Sequence, residues 1–283
     1  RADQHIESHT EGEPVAIITI SRGSYSRGKE VAERVAQKLG YECVARKVLL
    51  EASEEFNVPE YLLVRELHDA PSLFQRFSHK KEKYVSLVRT AFLEHVQKDN
   101  VVYHGLAGRV FLPGISHVLK VRIIADLDDR IREEMRREQL SHEKARGLLL
   151  EDDEERRKWS QSLYGTDNRD PANFDLCVHI RKLSVEDAAE IIAQTAQLPV
   201  FQTTTASQQT LDDLLLASRV ENRLMNDYDV ASICAQQGEV TVELRAPLVQ
   251  EVQIVDKIRE ELKGIPGLEE TYIRVTPTGY ASW

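Results

Sequence analysis

Cysteine, tryptophan and methionine are scarce in this chain, with three Cys, two Trp and two Met among 283 residues. Cys43, Cys177 and Cys234 are far apart and odd in number. That argues against a disulfide framework or a cysteine-based zinc site, and fits reduced thiols in a cytoplasmic protein. His5 and His9 lie four apart in a polar leading segment with no third ligand in view, so no metal role is assigned to them. No apolar run approaches membrane-spanning length, so no membrane span is expected, and the sequence does not open on a charged-then-apolar stretch, although its first residue is Arg and a segment can precede it. Positive charge is not in excess either. Lys and Arg number 37 against 47 Asp and Glu, a net charge of −10, which leaves no basic field for nucleic acid. A small phosphorylated ligand needs only a local group of cations. There is no long internal repeat and no low-complexity tract.

What is present is patterning. The length is about twice that of a typical domain, which predicts two domains. Residues 1–13 are polar. "VAIITIS" (15–21) is a β-branched apolar run that reads as a buried parallel strand. The helix after it places Val31, Val35 and Leu39 on one face and stops at Gly40. "YECVA" (41–45) is a second strand. Residues 47–98 read as helical with breaks near Pro59 and Pro71, and Tyr84, Val88, Phe92 and Val96 form an apolar stripe. "NVVYHG" (100–105), "HVLKVRIIAD" (117–126) and "FDLCVHI" (174–180) are further strands. Asp residues suited to capping open the helix of "DLDDRIREEMRRE". Ser184 and Asp187 form a capping box ahead of another helix. Strands alternating with helices over some 200 residues predict an α/β domain with a mainly parallel sheet in a three-layer sandwich.

"LPVFQTTTASQQT" (198–210) has no clear period and reads as a linker. Beyond it the order is α-β-β-α-β, with Gly238 at a hairpin turn and apolar stripes at Leu214, Val220, Leu224 and at Ile254, Ile258, Leu262. The division expected is 1–13 as a leading segment, 14–198 as the larger domain, 199–210 as linker and 211–283 as a small α+β domain.

The chemistry concentrates in "ITISRGSYSRGKEVAERVAQKLG", where Gly23 and Gly28-Lys29 have the spacing G-x-x-x-x-G-K between a strand and a helix. A glycine-bearing turn at a helix start points backbone N–H groups at an anion, and a Lys there reaches a transferred phosphoryl group. Gly23, Ser24, Tyr25, Ser26, Arg27, Gly28 and Lys29 are therefore the candidate phosphate-binding residues. Glu30 stands where such loops carry Ser or Thr for Mg²⁺. The competing reading is a β-to-α turn with exposed Lys29 and Arg27 and no ligand.

Several segments in order make residues 15 to about 197 resemble the cytidylate-kinase-like family of P-loop nucleoside monophosphate kinases. These are the loop and first helix, "VVYHGLAGRVFLPGISHVLKVRIIADLDDRIREEMRRE", and "DDEERRKWSQSLYGTDNRDPANFDLCVHI", in which "DPANFDL" is the most specific part. The family often carries Glu or Asp after the basic residue of its loop, as with Glu30 here. Two departures stand out. Gly105 is followed by Leu106 and Ala107 where the family has Gly-Arg, and Ala45-Arg46 takes the place of its Asp-Arg.

The resemblance implies a P-loop three-layer α/β sandwich with a helical lid, ATP and Mg²⁺ as cofactors, and phosphoryl transfer to a CMP-like nucleoside monophosphate or a related phosphorylated acceptor. It implies Arg46 and Gly105 on the acceptor side, and lid cations closing over the transferring group. The lid cations are Arg156, Arg157 and Arg146, with Arg130 and Arg137 ranked below them and Asp153 as an organiser. The alternative for "EDDEERRK" is a solvated helix face of i,i+4 ion pairs. The C-terminal unit resembles a BON domain, implying self-association as a homo-oligomer or a regulatory ligand. A second expectation keeps the nucleotide and drops the turnover: a sensor that signals through its C-terminal domain.

Overall fold

The computed structural model describes residues 16–24, 26–45, 48, 52, 79–105 and 107–277. Strand β1 (Ile17–Arg22) opens with four buried residues, as a strand covered on both faces must. It lies at the centre of a five-stranded sheet ordered β2 (Glu42–Val44), β3 (Val101–His104), β1, β4 (Val118–Ala125), β5 (Leu176–Ile180). Every neighbouring pair is parallel, with Ile17 beside Val101 on one side and Val118 on the other.

Alternation along the strands sends side chains into two separate cores. Ile18 and Ile20 pack with Val121 and Ile123 against Val31 and Val35 of α1 (Gly28–Leu39). Ile17 and Tyr103 face the opposite way, towards α2 (His79–Val96) and the short α3 (Gly108–Phe111). There the Phe92 ring meets Tyr103 edge-on at 4.7 Å and Phe111 at 5.6 Å. The expected stripe of α2 is in place: Val88, Phe92 and Val96 are buried and Tyr84 is packed against the same core. The expected three-layer α/β sandwich is the fold. Residues near Pro59 and Pro71 lie outside the described residues.

After β4 come α4 (Leu127–Glu138) and α5 (His142–Tyr164), joined by a small cluster of Ile131, Ala145 and Leu149. The Asp expected to cap α4 does something else. Asp126 occupies the N-cap position without a side-chain cap bond and pairs with His179 at 3.0 Å and Arg181 at 3.1 Å instead. The predicted capping box is formed: Ser184 and Asp187 satisfy each other's backbone N–H groups ahead of α6 (Val185–Ala196), which packs beside α1.

The C-terminal region runs α7 (Thr205–Leu224), β6 (Asp229–Gln236), β7 (Glu239–Arg245), α8 (Glu251–Leu262), β8 (Glu270–Thr276). Its sheet is mixed, with β6–β7 antiparallel and β7–β8 parallel. The hairpin bends at Gln237 and Gly238, φ 50° and 86°, the pair of left-handed residues that a two-residue turn requires.

The 198–210 stretch is more ordered than its composition suggested. It contains a 3-10 turn at Pro199–Phe201 and the first turn and a half of α7, fixed by a Thr204/Ser207 capping box. Leu211 and Leu215 of α7 enter the core beneath α2, as does the half-buried Leu214, whereas Val220 and Leu224 enter the C-terminal core. One helix thus serves both cores. A polar seam joins it to α2, with Thr90 Oγ1 bonded to Ser218 and Asn222, and Arg219 paired with Glu94 at 2.7 Å.

Candidate active site

The turn after β1 is shaped by close approach. A Cβ on Gly28 would stand 2.7 Å from both Cβ and Cδ of Arg22, so the first turn of α1 passes directly over the Arg22 stem. Arg27 precedes it in the left-handed region at φ 61°. Its guanidinium bonds the Glu30 carboxylate at 2.8 Å. Glu30 is therefore neutralised by its own neighbour. The N–H groups of Gly28, Lys29 and Glu30 fall in the first helical turn, which has no carbonyl one turn back to receive them. Donors of this kind at the positive end of a helix are suited to an anion.

Lys29 lies on this turn with its side chain 65% exposed, 3.7 Å from Glu33. Beneath the turn sits His104, whose Nδ1 is buried without a partner. Burial, then the charges of Arg22 and Lys29, push its imidazole down to about 4.

The lid helices reach back onto the turn. Arg130 of α4 donates from Nε to the Ser24 carbonyl at 2.7 Å and forks onto Asp153 of α5 through two 2.8 Å bonds. The Ser24 hydroxyl donates to Asp152. Arg156 bonds the Arg22 carbonyl at 3.2 Å and Asp152 at 3.2 Å. Arg157 turns back to Glu154, 2.6 Å away, instead of reaching the turn. Between lid and turn a cleft of about 80 Å³ remains, lined in part by Gly23, Ser26, Arg122 and Arg156.

The structure therefore brings together Gly23, Ser24, Ser26, Gly28, Arg130, Asp152, Asp153 and Arg156. Arg27, Lys29 and Arg157 lie nearby with their charges on neighbouring acids, and Arg146 is exposed on α5. Gly105 closes β3 over the Tyr103 ring, whose hydroxyl would stand 2.7 Å from an added Cβ. Tyr25, Arg46 and Leu106 lie outside the described residues. Among the described residues no group of three or more His, Cys, Asp or Glu is arranged to hold a metal. None of the described helices is long and apolar enough to cross a membrane.

Sequence reasoning passed over three arginines. Arg22, Arg109 and Arg122 are half-buried, and burial is the first cause lowering each of their pKa values. A signal existed for one of them: Lys120 and Arg122 put charge at alternate positions of a strand that helices cover on both faces.

A parallel sheet with this central glycine-bearing turn and a helical lid defines the class of α/β folds with a P-loop-like sheet. The model of the cytidylate kinase-like family matches residues 17–182, more than half of the sequence. The chain belongs to the cytidylate kinase-like family. Among solved structures it is similar to an uncharacterized protein from Eubacterium ventriosum ATCC 27560, at 18% identity over 64% of this chain and 97% of that one, with a TM-score of 0.51. It also resembles a shikimate kinase from Bacteroides thetaiotaomicron (12% identity, 65% and 99% covered, TM-score 0.42). A dephospho-CoA kinase from Campylobacter jejuni is a further likeness (15%, 64% and 96%, TM-score 0.34). At such identities the first likeness speaks for the fold alone, and the two kinases carry no further argument. No curated protein matches the sequence.

Proposed function

We propose that this chain is an ATP-dependent phosphotransferase acting on a nucleoside monophosphate, CMP-like, or a related small phosphorylated acceptor. The supporting observation is that Arg130 and Arg156, one from each lid helix, bond main-chain carbonyls at the candidate phosphate loop, Arg130 that of Ser24 within it and Arg156 that of Arg22 at the end of β1 just before it. In this reading those cations stabilise the charge that develops during phosphoryl transfer. ATP fits the donor set, since the Gly28 approach leaves room only for backbone and the first-turn amides are oriented as anion donors. When bound, it supplies the transferable phosphoryl group.

In this reading residues Gly23 to Lys29, Tyr25 included, cradle the phosphates, and Lys29 swings from Glu33 to the terminal one. Arg156 and Arg157 close from the lid, and Arg46 and Gly105 face the acceptor. Asp152 and Asp153 hold the same donors that a phosphate needs, so binding releases them and lifts α5. Mg²⁺ finds no ready-made cluster of protein ligands among the described residues, and no step is assigned to it.

The setting is cytoplasmic. Residues 14–198 form the kinase-like domain, and 211–283 a BON-like unit that self-associates or takes a regulatory ligand. The second reading, a nucleotide-binding sensor with little turnover, is favoured by α7, which contributes to both cores and so links lid and C-terminal unit through α2.

Purified protein given Mg-ATP and a panel of nucleoside monophosphates forms ADP at an acceptor-dependent rate. Tight ATP binding with no ADP from any acceptor would select the sensor and reject the enzyme.

A further inference from the structure

The C-terminal sheet has two edges, and only one of them is blunted. β6 carries a register shift between Val230 and Ser232, an irregularity that discourages pairing with another chain. β8 pairs with β7 in unbroken register from Glu270 to Thr276 and contains no Pro, Gly or Lys. Among the described residues no strand lies beyond it. The Glu270 N–H bonds the Gly238 carbonyl and the Thr276 carbonyl accepts from Ala246, so Glu270, Tyr272, Arg274 and Thr276 turn their backbone groups towards β7. Thr271, Ile273 and Val275 turn theirs to the open side. Ile273 and Val275 pack on the C-terminal core yet stay half-buried, whereas Val240, Val242 and Leu244 of β7 are buried. The core is left uncovered along β8.

The helix over this sheet is open on the same side. Ile258 and Leu262 of α8 point into the core. On one flank of that buried face, Glu261 accepts from the Tyr228 hydroxyl at 3.0 Å and Lys257 lies 5.5 Å from the Tyr228 ring, next to the start of β6. Helical spacing places Val252, Val255 and Arg259 on the other flank, towards β8. Val252 is 74% exposed, and Leu248 and Val249 just ahead of the helix are exposed as well.

We propose that the β8 edge and this flank of α8 form the interface of a two-fold dimer, in which a second copy of the chain pairs its own β8 antiparallel to the first. The occupant is a second copy because the charges of the strand complement themselves. With Tyr272 opposite Tyr272 of the second copy, Glu270 faces Arg274 of the second copy, and the two-fold axis repeats the pair. These side chains fall at non-hydrogen-bonded positions, where opposed side chains approach most closely. Thr271 and Ile273 of the second copy then exchange the backbone bonds that the open edge lacks. Arg274 can make the new contact, since its side chain is 72% exposed and meets Glu243 only at 3.4 Å. The same axis sets the α8 flanks side by side and covers Val252 and Val255. This surface carries further the self-association named for the C-terminal unit, and it stands whether or not the chain transfers phosphate.

The test is analytical ultracentrifugation of the full chain without nucleotide over a concentration series. The wild type sediments as a reversible dimer. Arg274→Glu and Glu270→Arg each set like charges opposite one another twice per dimer and weaken it about tenfold. The double variant Glu270→Arg/Arg274→Glu regains the wild-type affinity, and an equimolar mixture of the two single variants forms the mixed dimer. Glu270→Arg leaves the Arg274–Glu243 contact in place, which guards against a folding defect in Arg274→Glu. Val252→Asp, at an exposed position, also weakens the dimer while the circular dichroism stays that of the wild type. A wild type that remains monomeric, a dimer indifferent to either charge reversal, or single variants that the double exchange does not restore would each overturn the proposal. Acceptor-dependent ADP formation by a monomer overturns the dimer alone, which keeps this inference distinct from the phosphotransferase reading.

Discussion

Arg130→Ala is the most informative single perturbation of the lid. Its side chain is 10% exposed and holds the Ser24 carbonyl and both Asp153 oxygens. Removing one member of a buried ion pair costs roughly 3–5 kcal/mol, because the other charge is stranded. Asp153 is 31% exposed and regains water, so the expected loss is about 2–3 kcal/mol. That corresponds to a fall in Tm of roughly 4–12 °C for a chain of this size. Calorimetry on Arg130→Ala, Asp153→Ala and the double variant measures the coupling directly, which should reach about 1 kcal/mol or more. Additive losses, or a single-variant effect within about 0.5 kcal/mol, would refute the bridge between the lid helices.

Two further perturbations probe the layers around the site. The His104 imidazole titrates at about 4 in the folded chain against about 6.5 unfolded. The unfolded chain binds a proton that the folded chain refuses, so stability falls as pH drops from about 6.5 to about 4, by roughly 3 kcal/mol in total from this residue. Denaturant unfolding of the wild type and His104→Phe between pH 7.5 and 4 should show that difference, and parallel pH profiles would contradict it. Leu215 is 1% exposed in the part of α7 that enters the first core, so Leu215→Ala costs roughly 2–5 kcal/mol. Because α7 also enters the C-terminal core, the whole chain should melt earlier in one transition. A second transition left in place would show that the two cores are independent.

The alternation of apolar strands and amphipathic helices was readable because each sheet face and helix stripe is written locally. Val31 and Val35 or Phe92 and Val96 need only their own spacing to declare which side is buried. The Ser184 box and the Gly238 turn are local in the same sense. What escaped were contacts made across long sequence separations. Arg130 to Ser24 spans 106 residues, and nothing near Arg130 distinguishes it from Arg132 or Arg136, which pair within α4. The start of α7 was hidden because Thr204 through Thr210 are polar apart from Ala206, and its first large apolar anchor, Leu211, comes nearly two turns in. The α2–α7 seam was hidden for the opposite reason. Ser86, Thr90 and Ser218 are buried polar residues, Thr90 and Ser218 bonded to each other and Ser86 donating to Asn222, and a hydropathy pattern reads them as solvent-facing.

The central claim is that the amides opening α1 receive nucleotide phosphates. Its most direct test is a crystal of the full chain grown with a non-hydrolysable ATP analogue. The account predicts phosphate oxygens within hydrogen-bonding distance of the Gly28 and Lys29 N–H groups, with Asp152 drawn away from Ser24. Nucleotide bound elsewhere, or a loop whose Asp152–Ser24 bond persists with the analogue absent from the helix start, would contradict it.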